Sequence, residues 1–106
     1  MEKGTENFLK AAGALYDETR IRLLKYIDRY GPLCVCELEE AFKMLQSRLS
    51  RHLKILKEAG FLTSERRGRW VYYAIHPNPG TFHRAALEKI RSLPLEIPKN
   101  RKVCNA

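Results

Sequence analysis

Two cysteines with a single residue between them, in Leu33-Cys34-Val35-Cys36-Glu37-Leu38, are the residues of this chain best suited to chemistry. They open a segment in which Val35, Leu38 and Phe42 recur at helical spacing. Free amides and the helix dipole at such a start favour thiolate, the form that binds soft metal ions. On an ideal helix, residues i and i+2 lie about 200° apart, so both sulfurs reach one ion only if the first turn gives way. A third thiol, Cys104, follows the basic run Lys99-Asn100-Arg101-Lys102, in a tail able to fold back or to cross to a partner subunit. Three cysteines make no disulfide framework and point to a reducing cytoplasm.

The second chemistry is electrostatic. Twenty Lys and Arg against 12 Asp and Glu give a formal charge of +8, which suits a polyanionic partner. The charge is local: Lys43, Arg48, Arg51, Lys54, Lys57, Arg66, Arg67 and Arg69 crowd into residues 43–73, with only Glu58 and Glu65 against them. On a helix opening at Gln46, with Leu49, Leu53 and Leu56 inward, Ser47, Arg51 and Lys54 lie at the opposite pole and Arg48 and Ser50 on its flanks. Such a face suits a DNA major groove, where arginine bridges guanine O6 and N7 while serine and glutamine near the helix start hold phosphate. Arg66, Arg67 and Arg69, with Trp70, Tyr72 and Tyr73 beside them, suit a hairpin that follows the backbone into a minor groove. Alternation along that strand turns Trp70 and Tyr72 one way and Val71, Tyr73 and Ile75 the other, so one side belongs to the core and base stacking is not its role. His52 falls near the buried stripe and reads as a packed, hydrogen-bonded residue.

The elements that must position these groups follow from spacing and punctuation. At 106 residues and 44% hydrophobic content the chain suits one domain over residues 1–93, followed by a loose basic tail over 94–106. A first helix runs from about Thr5 to Tyr16, and a second, capped by Asp17, ends at Gly31-Pro32. The cysteine segment forms a short third helix, Lys43-Met44-Leu45 a turn, and a fourth helix closes at Gly60. Strands Phe61 to Glu65 and Arg69 to Ile75 make a hairpin around Arg66-Arg67-Gly68, and a last helix spans Thr81 to Leu93. The order is α-α-α-α-β-β-α, mainly helical with a β-hairpin wing: a winged helix-turn-helix. Phe8, Leu15, Phe82, Ile90 and Leu93 on the terminal helices are more than so small a chain buries alone, which predicts a symmetric homodimer. No window approaches the roughly 18 apolar residues of a membrane span, and MEKGTENFLK lacks the plan of a secretory signal.

With that order in place, three segments carry a family resemblance. Ala14-Leu15-Tyr16-Asp17-Glu18-Thr19-Arg20-Ile21-Arg22-Leu23-Leu24, the stretch from Gln46 to Gly60, and Gly68-Arg69-Trp70-Val71-Tyr72-Tyr73 resemble the second helix, recognition helix and wing of the ArsR (arsenical-resistance repressor) family. Glu18 stands where that family commonly has proline. The resemblance, over roughly residues 8–93, implies a homodimer joined through its first and last helices that represses transcription until an inducer binds. Leu33 to Leu38 is similar to the cysteine box of the family's arsenite and cadmium/lead sensors. Glu39 replaces the third cysteine of the best-known arsenite sensors, and residues 1–33 lack the N-terminal cysteines of the cadmium/lead type. The expected inducer is therefore trivalent arsenic or antimony on Cys34 and Cys36, with Cys104 as a third ligand; cadmium, lead and zinc are the other soft ions to test. Thr81, and the lack of any histidine after His83, argue against a zinc site on the last helix. A metal that distorts the supporting helix would tilt the recognition helix, and driving such a switch from 1:99 to 99:1 takes about 5.5 kcal/mol. The alternatives are a repressor of the same fold that senses oxidants or persulfides through the pair, and a small thiol oxidoreductase. The latter is disfavoured by the absence of a CxxC, a phosphate-cradling cysteine loop, a Ser/His/Asp set or a Gly-rich nucleotide loop.

Overall fold

Asp17 starts the scaffold as expected: its backbone is extended and its carboxylate accepts the Arg20 N–H at 3.1 Å, capping the second helix. The computed structural model describes residues 3–99. They form α1 (Lys3–Ala14), α2 (Glu18–Tyr30), β1 (Leu33–Cys34), α3 (Val35–Phe42), α4 (Gln46–Glu58), β2 (Leu62–Arg67), β3 (Trp70–Ile75) and α5 (Thr81–Ser92). This is a winged helix-turn-helix, with α3 and α4 as the motif and β2–β3 as the wing. The sheet order is β1-β3-β2, all antiparallel.

Two local expectations are corrected. Cys34 does not lie in the first turn of α3: Leu33 and Cys34 form a strand paired with Tyr73 and Tyr72, and Cys34 is the helix cap, with φ −83° and ψ 163°. Arg66 and Arg67 are strand residues opposite Val71 and Trp70, leaving Gly68, at φ +64°, and Arg69 as the loop. The ladder continues further than the run of β-forming residue types because cross-strand pairing holds the arginines extended.

The core is built from Leu23, Leu24 and Ile27 of α2, Leu38 of α3, Leu49, Leu53 and Leu56 of α4, and Phe61, all buried. Removing surfaces of this size from water supplies about 1.5–3 kcal/mol per side chain. Gly60, at φ +88°, closes α4: its N–H donates to the Lys57 carbonyl and that of Phe61 to the Leu56 carbonyl, both at 3.0 Å. A methyl group at Gly60 would also meet His83 Nε2 at 3.0 Å. Gly60→Ala should therefore lower stability by about 1–2 kcal/mol, a left-handed conformation being costly for any residue with a Cβ. Thermal unfolding would show this as a melting temperature lower by several degrees.

From Leu93 the chain leaves α5 and runs along α2 without helix or strand as far as Lys99, with Leu95 and Ile97 packed on the core. Lys25 Nζ donates to the Leu93 carbonyl at 2.6 Å and Arg22 Nε to that of Glu96 at 2.8 Å, and Pro98 and Lys99 reach Glu40, Ala41 and Lys43 around α3. At the other end, α1 buries Ala11 and Ala14, while Phe8 and Leu9 stay about half exposed. Phe8 meets Phe82 of α5 edge-on at 5.0 Å. Ile90 is already buried within the protomer, so the apolar face left open on the terminal helices is narrower than the sequence suggested and centres on Phe8 and Leu9, with half-buried Phe82 beside them. Among the described residues no helix is long and apolar enough to cross a membrane.

Candidate nucleic-acid interface and thiol site

The turn between α3 and α4 works without glycine because Lys43 itself adopts the left-handed conformation, at φ 51° and ψ 49°. Extended Leu45 then starts α4 with no side-chain cap. Leu49, His52, Leu53 and Leu56 point inward, and Gln46, Ser47, Arg48, Ser50, Arg51 and Lys54 are all exposed. The sequence reading missed Leu45, which is 78% exposed immediately ahead of this face. It looked like part of a turn, and nothing in its spacing signals exposure.

In the wing, Arg66, Arg67 and Arg69 are exposed. The aromatics are more than a core face: the Arg67 guanidinium lies 4.9 Å from the Tyr72 ring centroid, and that of Arg69 lies 5.5 Å from Trp70. Trp70 and Tyr72 thus hold the cations on the outer side, while Tyr73 and Ile75 pack on the core. Lys57 Nζ donates to Ser64 Oγ at 2.6 Å, tying the end of α4 to the wing. If Arg67 supplies a phosphate contact, Arg67→Ala should weaken binding to every duplex alike and reduce the salt slope by about one counterion. A changed base preference in a binding-site selection would contradict that assignment.

The thiols differ from each other. Cys34 is fully buried. Its N–H donates to Glu37 Oε1 at 3.1 Å, closing a capping box in which Cys34 Sγ faces the Glu37 amide. Burial, and then the Glu37 carboxylate, push the Cys34 thiol above its ordinary pKa and outweigh the amides of the helix start. The thiolate expected at this position is therefore not favoured in this conformation. Cys36 is half-buried and, against the expectation of free thiols, disulfide-bonded. It lines a groove with Glu39, with Gln46 at the start of α4, and with Arg69 and Trp70 of the wing. Among the described residues no cluster of three or more His, Cys, Asp or Glu side chains could hold a metal ion. Cys104 lies outside the described residues.

His83 of α5 is taken up by packing. Its Nε2–H donates to the Ala59 carbonyl at 2.7 Å, and its ring lies 4.5 Å from that of Phe61.

The model described as "Bacterial regulatory protein, arsR family" matches residues 17–64, which cover α2 through the start of β2. An uncharacterized HTH-type transcriptional regulator of Methanocaldococcus jannaschii is 40% identical over 74 residues, 70% of this chain and 79% of that protein. The chain belongs to the ArsR family. Its likeness to an arsenic resistance transcriptional regulator of Pseudomonas putida is 52% identity over 63 residues, 59% of this chain and 49% of that protein; the match thus spans about half the length of this relative. Among solved structures, HlyU from Vibrio cholerae superposes with a TM-score of 0.72 at 26% identity, covering 91% of this chain and all of that one. Both of these relatives are named as transcriptional regulators and not as enzymes.

Proposed function

We propose that the protein is a homodimeric transcriptional repressor that holds operator DNA through α4 and the wing and lets go when trivalent arsenic or antimony is bound by its cysteines. The observation that carries this reading is the groove in which Cys36, Gln46, Arg69 and Trp70 meet. A cysteine site that touches both the first residue of the basic helix and the tip of the basic wing can act on both DNA-facing surfaces at once. Gln46, Ser47, Arg48, Ser50, Arg51 and Lys54 face the major groove in this reading, and Arg66, Arg67 and Arg69 follow the backbone. The open face around Phe8, Leu9 and Phe82 supports pairing of two copies, which would set two recognition helices about 34 Å apart on an inverted repeat.

Cys34 and Cys36 would hold the soft ion once reduced. Buried Cys34 must leave its cap to do so, and that movement is the differential contact a ligand needs to shift an equilibrium. Lys99 sits beside α3, so chain connectivity allows Cys104 to serve its own protomer as a third ligand: five residues extend to about 17 Å. The disulfide at Cys36 favours a second reading in which oxidation of the same thiol is the signal.

One experiment separates these. Operator DNA selected from a random-sequence pool is shifted by reduced protein while arsenite, antimonite, cadmium, zinc and peroxide are titrated singly. Release by arsenite or antimonite at the lowest concentration supports the metal reading, and release by peroxide alone supports the redox one. Failure to enrich any duplex, or a monomeric mass by ultracentrifugation at micromolar concentration, counts against the dimeric repressor.

A further inference from the structure

Behind the basic face of α4 lies a polar network that uses neither the thiols nor the DNA-facing side chains. Arg20, at the start of α2, donates through Nε to the Ala14 carbonyl at 2.7 Å and through Nη2 to the Gly13 carbonyl at 3.3 Å, both at the end of α1. Its Nη1 lies 3.3 Å from His52 Nδ1 on α4 and 3.6 Å from Asp17 Oδ2. Guanidinium nitrogens only donate, so His52 Nδ1 must present a lone pair, which fixes a neutral ring protonated at Nε2. His52 is 9% exposed and the Arg20 side chain 14%. One planar group therefore ties the last turn of α1 to the inner side of the basic helix through three hydrogen bonds, and an ion pair to Asp17 holds it at the start of α2.

We propose that Arg20 and His52 form a proton-sensitive brace that sets the angle of α4 against α1, Arg20 acting as a positioning residue for DNA reading, and that protonation of His52 releases the brace. The proposal rests on α4 being the DNA-facing helix. An imidazolium has no lone pair at Nδ1 and would place a fresh cation against Arg20. The charged groups acting on His52 are Asp17 and Arg20 at the start of α2, and Arg48 and Arg51 on its own helix. Burial and the three arginines oppose the charge, Asp17 favours it, and the balance holds the ring below its ordinary pKa of 6.5. The sign follows: the brace is intact at neutral pH and is lost as pH falls below 6.5.

The test uses the full-length protein and duplex selected from a random pool. Operator affinity of the wild type should drop about threefold to tenfold on acidification, the worth of one such hydrogen bond. His52→Asn keeps an acceptor close to the Nδ1 position and does not titrate, so it should bind near wild-type strength at pH 7.5 and lose the acid drop. His52→Leu should bind more weakly at every pH, with its salt slope unchanged because no phosphate contact is removed. An acid drop in His52→Asn equal to that of the wild type overturns the brace. So does a rise in wild-type affinity with acid, the result expected if an imidazolium met phosphate. Nitrogen NMR of the His52 ring and amide exchange along α4 read the same brace without DNA. A protonated Nδ1 at neutral pH, or α4 protection indifferent to acid, overturns it even if no duplex binds, and the failure of all DNA binding would fall on the functional reading instead.

Discussion

Reduced Cys36→Ser protein should hold its operator as tightly as the wild type and ignore arsenite. Serine is close in size, and Cys36 is only half-buried at a helix start where hydroxyl side chains are well tolerated, so fold and DNA-facing surfaces should survive. A hard hydroxyl is a poor ligand for a soft ion, so the response should vanish and not merely weaken. Cys34→Ser should behave alike, since serine is among the favoured helix caps and the Glu37 amide is already in place to meet it. Cys104→Ser asks a separate question. Full response in that variant means two sulfurs suffice, whereas a marked loss of arsenite affinity with unchanged DNA affinity means the tail supplies the third. Arsenite that frees Cys34→Ser or Cys36→Ser from DNA at the wild-type concentration would sink the metal switch.

Arg51→Ala should cost operator binding about 1–3 kcal/mol and relax base preference at one position of each half-site, the loss expected for a bidentate contact to guanine. Arg51 is exposed and projects from the side of α4 opposite the buried leucines, so little stability should be lost with it. The measurement is a binding-site selection with each protein, compared with the uniform weakening expected of Arg67→Ala. If Arg51→Ala leaves the selected sequence intact while Arg67→Ala alters it, the helix and the wing have exchanged roles.

Helices α2, α4 and α5 were legible because their apolar residues repeat over three turns between recognisable stops, as with Leu49, Leu53 and Leu56 before Gly60. The exposed basic face of α4 followed from the same wheel. The rest depended on distant partners. β1 is two residues long, too short for any periodicity, and it is a strand only because Tyr72 and Tyr73 come to lie beside it. The same pairing put Cys34 into the core and reversed the expectation of a ready thiolate. Arg20 carried no signal of its role, since a link to His52 across 32 positions leaves no mark in local spacing. The packing of Leu95 and Ile97 was hidden in the same way, by a stretch with no repeat of its own.

The two pairs of β1 also decide what it takes to loosen the wing. β3 is the middle strand only because β1 lies along its other edge. An ion that drew Cys34 from its cap would peel that edge away and leave the outer part of β2 and β3, beyond the core contacts of Tyr73 and Ile75, as a two-stranded ribbon, an arrangement of marginal stability in water. DNA would then have to restrict a wing that the apoprotein offers already restricted. The inducer's effect on affinity would be felt as conformational entropy, with Arg66, Arg67 and Arg69 still present and still charged but no longer held in one place.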